Sequence, residues 1–297
     1  VRVALISPWD NAWVPHYKQA FEKRGHEFHW LKKAEAGNFD IALHGWAVDS
    51  PMYTAKRNIM FLRRYELFSG YLEKIRWQSV DELVCVNRWI KGIVESVLRN
   101  KGIKTNVHMI YNGTDVGGWK FKQRKPGKKI GMACHVHPKK NIPLAMQILA
   151  SLPADYELHI AGEVQDPCTA EYLNHLGRFV RKRIYLYGHI PSDQMNLWWE
   201  QMNICLSTSL SEGNPNNVIE AMAKGIKPVV HYWPGAEDQF PEHLFCTVQE
   251  AVSQILSEDY DSEAYRKAVQ AKFSLSNIER VVDLALQQET ETQWHPV

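Results

Sequence analysis

Two hydrophobic patterns alternate along the chain: short, nearly continuous apolar runs, and longer stretches with apolar residues three and four apart. The runs predict strands over 1–7 (VRVALIS), 28–31 (FHWL), 39–45 (FDIALHG), 82–87 (ELVCVN) and 106–113 (NVHMIYNG). Between them the spacing predicts helices over Pro15–Arg24, ended by Gly25, over most of Met52–Arg76, and over Trp89–Arg99. Trp119–Lys129, with five lysines, an arginine, a proline and a glycine, reads as a linker. A second series follows, with strands over 129–135, 156–162, 183–189, 203–209 and 227–232. Its helices fall over Ile142–Leu152, Thr169–Val180, Gln194–Gln201, Pro215–Lys224, 263–273 and 277–289. Strands alternating with helices predict parallel α/β sheets, and the linker predicts two of them. The expected domains are 1–120 and 128–275, with a terminal helix in 276–297 packing back on the first.

Composition narrows this picture. Apolar residues make up 45% of the 297, enough for a core in each half. No apolar run approaches the roughly 20 residues of a membrane span, and the opening VRVALISPWD reads as a first strand rather than a secretion signal. The five cysteines are odd in number, scattered and never in a C-x-x-C pair, which fits a reducing, cytoplasmic setting. A net charge of +2 does not demand a nucleic-acid partner. Basic residues nevertheless cluster at 56–64 (KRNIMFLRR), 120–129 (KFKQRKPGKK) and 178–183 (RFVRKR). These read either as solvated faces and a linker or as a surface for anionic membrane, a phosphorylated acceptor or nucleic acid.

The most informative segment is 207–225, STSLSEGNPNNVIEAMAKG, which passes from a strand through a loop into a helix. Asn214 is the expected cap, Pro215 the first helical residue and Gly225 the stop. The free N–H groups of such a helix start, at the carboxyl end of a parallel strand, suit a diphosphate. Asn217 and Glu220 share a helix face, while Val218, Ile219, Met222 and Ala223 form an apolar stripe for the sheet. A carboxylate at Glu220 is repelled by phosphate and suits a ribose diol; Glu212, on the loop, suits sugar hydroxyls or developing positive charge. The plainer alternative is that both glutamates only favour a helix start.

These residues resemble the family-4 retaining glycosyltransferases of the GT-B fold. That family carries two glutamates in a context of E-G followed by N-V-x-E-A-M-A-x-G, and here Glu212-Gly213 and Asn217 to Gly225 match it. The resemblance implies two Rossmann-like domains facing each other across a cleft, with the acceptor on the first and the donor on the second. It implies transfer of a sugar with retained configuration, without a required metal or cofactor, from a nucleotide-sugar such as a UDP- or GDP-sugar. The acceptor is not implied. By the same comparison Lys140 in HVHPKKN corresponds to the phosphate-binding lysine, and His135 stands where an arginine is usual. A protonated His135 or Lys139 then supplies the second cation, or the site is weaker.

Gly162, Gly188, His189 and Ile190 resemble positions where backbone meets the nucleotide. Asn216, Asn214 and Val218 complete the expected donor wall. His44 aligns with a cleft histidine near the reacting sugar, although a lone histidine at a strand end also reads as structural. Tyr111 to Asp115 resembles the turn that closes the first domain, and FEKRGHEF a helix-to-strand turn. His135 and His137 lack a carboxylate or thiol cluster, so no metal site is expected. Asp259 and Asp261 precede a terminal helix and read as caps. Trp9, Trp13 and Trp46, near strand ends, are candidates for carbohydrate stacking, whereas Trp198 and Trp199 read as packing. Rival readings are a related GT-B chemistry without transfer, a non-catalytic nucleotide-sugar-binding protein, and a DNA-directed glycosyltransferase.

Overall fold

The computed structural model describes residues 1–9, 11–34, 38–48 and 55–287. In chain order the elements of its first part are β1 (Arg2–Ile6), α1 (Val14–Glu22), β2 (Glu27–Leu31), β3 (Phe39–His44), β4 (Ala55–Leu62), α2 (Arg64–Phe68), β5 (Glu82–Cys85), α3 (Arg88–Lys101) and β6 (Asn106–Met109). Then come β7 (Lys129–Ala133), α4 (Ile142–Ser151), β8 (Glu157–Ala161), α5 (Pro167–Val180), β9 (Arg183–Leu186), α6 (Ser192–Glu200), β10 (Ile204–Ser207), α7 (Asn216–Ala223), β11 (Lys227–His231), α8 (Ala236–Gln239), β12 (Leu244–Phe245), α9 (Val248–Leu256), α10 (Ser262–Phe273) and α11 (Ser276–Leu286).

The chain divides into two compact units, one formed by Val1–Gly113 with Leu275–Val297 and one by Thr114–Ser274. Each holds a six-stranded sheet, ordered β2-β1-β3-β4-β5-β6 in the first and β12-β11-β10-β7-β8-β9 in the second. All pairings are parallel. Helices on both faces explain why the central strands read as continuous apolar runs: Val3, Leu5, Leu43 and Ile59 are buried in the first unit, and Ile130, Leu158 and Val229 in the second. Each such side chain contributes about 1.5–3 kcal/mol on burial.

Ala55–Leu62 corrects the helix expected over Met52–Arg76. It is an inner strand between β3 and β5, and its run Ile59-Met60-Phe61-Leu62 is buried because both faces are covered. An apolar run covered on both sides carries no period-two signal, so its spacing against the flanking Arg63, Arg64 and Leu67 reads as helical. Residues 52–54 of that expectation, Asp10 of the opening VRVALISPWD and 288–297 of the terminal segment lie outside the described residues. Two cations of the basic cluster at 56–64 are held within the fold, while Lys56 stays exposed. Arg57 pairs with Glu82 at 3.0 Å, and the Arg63 guanidinium is buried 4.9 Å from the Trp46 ring and 5.5 Å from that of Trp13.

Trp119–Lys129 is likewise no free linker. It lies in the second unit, where Arg124 Nε donates to the Lys224 carbonyl (3.1 Å) and its Nη1 to those of Glu200 (3.1 Å) and Met202 (2.9 Å). The guanidinium thereby satisfies carbonyls at the ends of α6 and α7, which carry partial negative charge. The first unit ends at Gly113 rather than near residue 120, and α11 returns to it. Ile278, Val281, Val282 and Ala285 join Val3, Leu5, Tyr17 and Phe21 in one core. Asp261 caps α10 by accepting from the Ala264 N–H at 3.0 Å, and Trp198 and Trp199 are buried against the sheet. Among the described residues no helix is long and apolar enough to cross a membrane.

Candidate functional site

In the second sheet the chain runs from β7 outward through β8 to β9, then returns to the other side of β7 with β10 and continues to β11 and β12. The order therefore reverses between β7 and β10, the position where open parallel sheets hold ligands outside their carboxyl ends. A cavity of about 450 Å³ lies there. Ala133 and Cys134 at the end of β7, Ala161 and Gly162 at the end of β8, and the loop from Glu212 into α7 form its walls. Gly162 has φ +150°, and a Cβ on it would sit 2.1 Å from the Cys134 carbonyl oxygen. Only glycine fits where these two strand ends cross.

Two charged side chains define the chemistry. Lys140 Nζ lies 2.5 Å from Glu212 Oε1, and both side chains are largely buried. Burial alone would raise the Glu212 carboxyl, but Lys140, with Lys139 and a Ser209 hydrogen bond, outweighs it and holds the carboxyl below the usual carboxylate range. Glu212 is therefore an anion at neutral pH. The backbone fixes both partners: Thr208 Oγ1 donates to the Lys140 carbonyl (2.7 Å) and the Leu210 N–H to that of Lys139 (2.9 Å). On the far side, buried Gln239 donates from Nε2 to the Gly213 carbonyl at 2.9 Å.

The opposite wall is the start of α7. Pro215, not Asn214, occupies the cap position, and no side chain caps the helix. The Asn214 amide nitrogen turns instead to Asn216 Oδ1 at 2.9 Å. Val218 and Ile219 give their N–H groups to the Pro215 carbonyl, so the amides of Asn216 and Asn217, which line the cavity, are those left for a ligand. A capping side chain would compete for this N-terminal donor set; its absence keeps the positive end of the helix open to an anion. Gly225, at φ +78°, ends α7 as the sequence indicates.

The structure gathers Glu212, Lys140, His135, Asn214, Asn216, Asn217 and Ile190 around this one cavity, together with Gly162 and His189. His135 is exposed, and Lys139 is half-buried with its charge felt by Glu212. Five expected site residues stand elsewhere, four of them in the second unit. Val218 is fully buried beneath the helix, and Gly213 and Gly188 lie behind the wall, the Gly188 carbonyl accepting the Gly162 N–H at 2.7 Å. Glu220 sits a turn deeper on α7, half-buried and off the cavity lining, where burial pushes its carboxyl up to about 7. The Trp199 indole partly counters that burial without closing a hydrogen bond.

His44 belongs to the first unit, fully buried at the end of β3. Its Nε2 meets Asn58 Oδ1 at 3.1 Å, and burial pulls the imidazole down to about 4, so it is neutral. Trp9 and Trp46 meet edge to face at 4.9 Å in the same unit. Sequence reasoning missed Thr208, Ser209 and Gln239, the residues that hold the ion pair and its loop. The hydroxyl run at 207–209 was the available signal, and it reads simply as the end of a strand.

Residues 127–272 match the family model of glycosyl transferases group 1. All of the residues lining the cavity fall inside this glycosyl transferases group 1 segment. Over 240 residues the chain is 25% identical to the GDP-Man:Man(3)GlcNAc(2)-PP-Dol alpha-1,2-mannosyltransferase of Dictyostelium discoideum, covering 71% of this chain. It spans under half of that relative's length, 46%. Two solved structures resemble nearly the whole chain. HepE of Anabaena, in complex with UDP and glucose, superposes with a TM-score of 0.72 at 12% identity, covering 96% of this chain and 99% of that one. Sucrose-phosphate synthase from Thermosynechococcus elongatus gives 0.73 at 14% identity, covering 95% and 98%. These likenesses show the fold, the pair of Rossmann-like α/β domains of the GT-B class.

Proposed function

We propose that the chain is a glycosyltransferase that binds a nucleoside diphosphate sugar in the second unit's cavity and transfers the sugar with retention, without a metal. The observation that carries this reading is the Lys140–Glu212 ion pair facing the uncapped start of α7. In this mechanism the diphosphate lies against Lys140 and the amides of Asn216 and Asn217. As the bond between sugar and phosphate breaks, negative charge grows on the leaving oxygen, where these preorganised donors act most strongly. A phosphate drawn to Lys140 competes for its ammonium and frees a Glu212 oxygen for a sugar hydroxyl.

Because Glu212 is committed as an anion beside Lys140, it is a poor proton acceptor; a donor phosphate oxygen takes the acceptor proton instead, which favours retention. Glu220 holds the ribose, and His135 or Lys139 adds a second cation at the mouth. The acceptor lies on the first unit. The relative's name carries GDP-mannose and the HepE structure holds UDP with glucose, so GDP- and UDP-sugars are the donors to compare first.

Calorimetric titration with UDP, GDP, ADP and their sugars tests the site. Selective binding is expected, weakened about tenfold to a hundredfold by Lys140→Ala, the usual range for a charge-assisted hydrogen bond. Absence of binding by every diphosphate overturns the site. With the donor known, the anomeric configuration of the product and turnover in excess chelator decide retention and metal independence.

A further inference from the structure

The sharpest anomaly on the surface lies at the opposite end of the second sheet from the cavity, at the amino ends of its strands. There α5 turns into β9. Leu173, Leu176 and Val180 face the core, so helical spacing puts Tyr172, His175 and Phe179 on the outer face. Phe179 is 87% exposed, the most exposed large apolar side chain among the described residues, and Tyr172 is 46% exposed. A globular protein leaves few aromatic rings so open, and a contiguous apolar patch marks an interaction surface.

Two further observations narrow the occupant. Beneath the turn is a groove of about 270 Å³, lined by the apolar side chains of Ile160, Leu173, Ile184 and Leu186 with Arg178 and Lys182 at its rim. Along the chain itself the charge is one-sided: between Pro167 and Tyr187 stand Arg178, Arg181, Lys182 and Arg183 against Glu171 alone, with Asp155 and Glu157, beside the start of β8, facing only Arg183 of the four. Lys182 spends its hydrogen bonds on the Leu152 and Pro153 carbonyls, which leave its charge uncancelled. Arg183 is the one cation of the four paired with a carboxylate among the described residues, Glu157 at 2.6 Å.

From this juxtaposition we infer that the α5–β9 corner is a peripheral docking surface for an anionic lipid bilayer, with Phe179 entering the interface and the arginines meeting headgroup phosphates. Aromatic side chains ringed by cations are what the headgroup boundary selects, and each cation near such a surface contributes independently. A nucleic acid would use the cations but has no use for an aliphatic groove. Docking here leaves the nucleotide cavity, at the carboxyl ends of the strands, open to solvent, and the inference stands apart from the donor reading.

Co-sedimentation of the full chain with phosphatidylcholine vesicles, with and without phosphatidylglycerol, tests it. Binding is expected only to the phosphatidylglycerol vesicles and is released by salt. Each arginine removed should lower affinity about fivefold, so the double variant Arg178→Ser/Arg181→Ser should lose roughly twentyfold or more, and Phe179→Ser should weaken binding at unchanged charge. Lys267→Ser, an exposed cation on α10, should bind as wild type; all four proteins should melt alike. Equal binding to both vesicle types, binding unaffected by the double variant, or capture of an oligonucleotide but not of vesicles would overturn the inference. So would concentration-dependent dimerisation through Phe179 without vesicle binding.

Discussion

Glu220 carries an unusual charge state, set by its place on the largely buried helix α7. Its carboxyl, raised by burial to about 7, is half protonated at neutral pH, and a ribose diol bonds best to the ionised form, which accepts from both hydroxyls. If Glu220 holds the ribose, donor affinity should rise as pH goes from 6 to 8, and Glu220→Gln should flatten that rise; calorimetry at three pH values reads it. Stability runs the other way. Between the ordinary value of 4.5 and about 7 the folded state holds a proton that the unfolded state has lost, so stability falls as pH rises through this window. Glu220→Gln should therefore melt higher than wild type at pH 8 and close to it at pH 5. A variant with unchanged pH dependence in both experiments would remove Glu220 from the donor site and from the list of strained groups. That Glu212 and Asn217 come together was legible in sequence because they sit within one strand-loop-helix segment. The Lys140 pairing spans two distant loops, and nothing local in either stretch announces Thr208 as the residue that ties them together.

At the scale of elements, the start of α7 leaves its first amides without a side-chain partner, as several other helices do. Thr247 and Glu250 form a reciprocal capping box at the start of α9, and Asn87 caps α3 through the Ile90 N–H, yet α7 begins without any side-chain cap. Pro215→Ser supplies one. A serine cap should add about 0.5–2 kcal/mol to helix stability while competing with the donor phosphates for the same amides. The expected pair of results is a higher Tm and weaker nucleoside diphosphate binding; a gain in both would show that the amides of α7 are not the phosphate site. The same scale explains what the sequence concealed. The box at Thr247 is a helix-start signal, but α8 and β12 before it are short and follow no long apolar run, so the stretch after β11 offers no strand–helix rhythm in which to place it. β4 was hidden for the opposite reason, an apolar run covered on both faces and thus without alternation.

For the whole molecule, the first unit is built from two separated stretches of chain. Ile278 of α11 is buried against Gly113, where even a Cβ would come within 2.6 Å of its side chain, and it shares a core with β1 and α1. Ile278→Ala should cost about 2–5 kcal/mol, and the loss should fall on the first unit. Hydrogen exchange should show loosened protection in β1, β3 and α1, while β7, β8 and β10 and nucleotide binding stay as in wild type. Uniform loss across both sheets would mean that the two units do not unfold separately. Two sheets, and the terminal helix returning to the first, were legible because alternating strands and helices admit few other arrangements. Nothing local marks Gly113 as the place where the units part, and the lysine-rich stretch that resembles a linker is fastened down by Arg124.

This interleaving also sets a timetable for synthesis. On the ribosome α11 emerges only after every strand of the Thr114–Ser274 unit has been made. The unit that carries the amino-terminal strand must therefore wait with an open hydrophobic flank along β1 and α1 while the later unit acquires its complete sheet. Closure of that core thus runs against the usual amino-terminal-first order of domain folding, since the sheet of the Thr114–Ser274 unit is complete before α11 arrives.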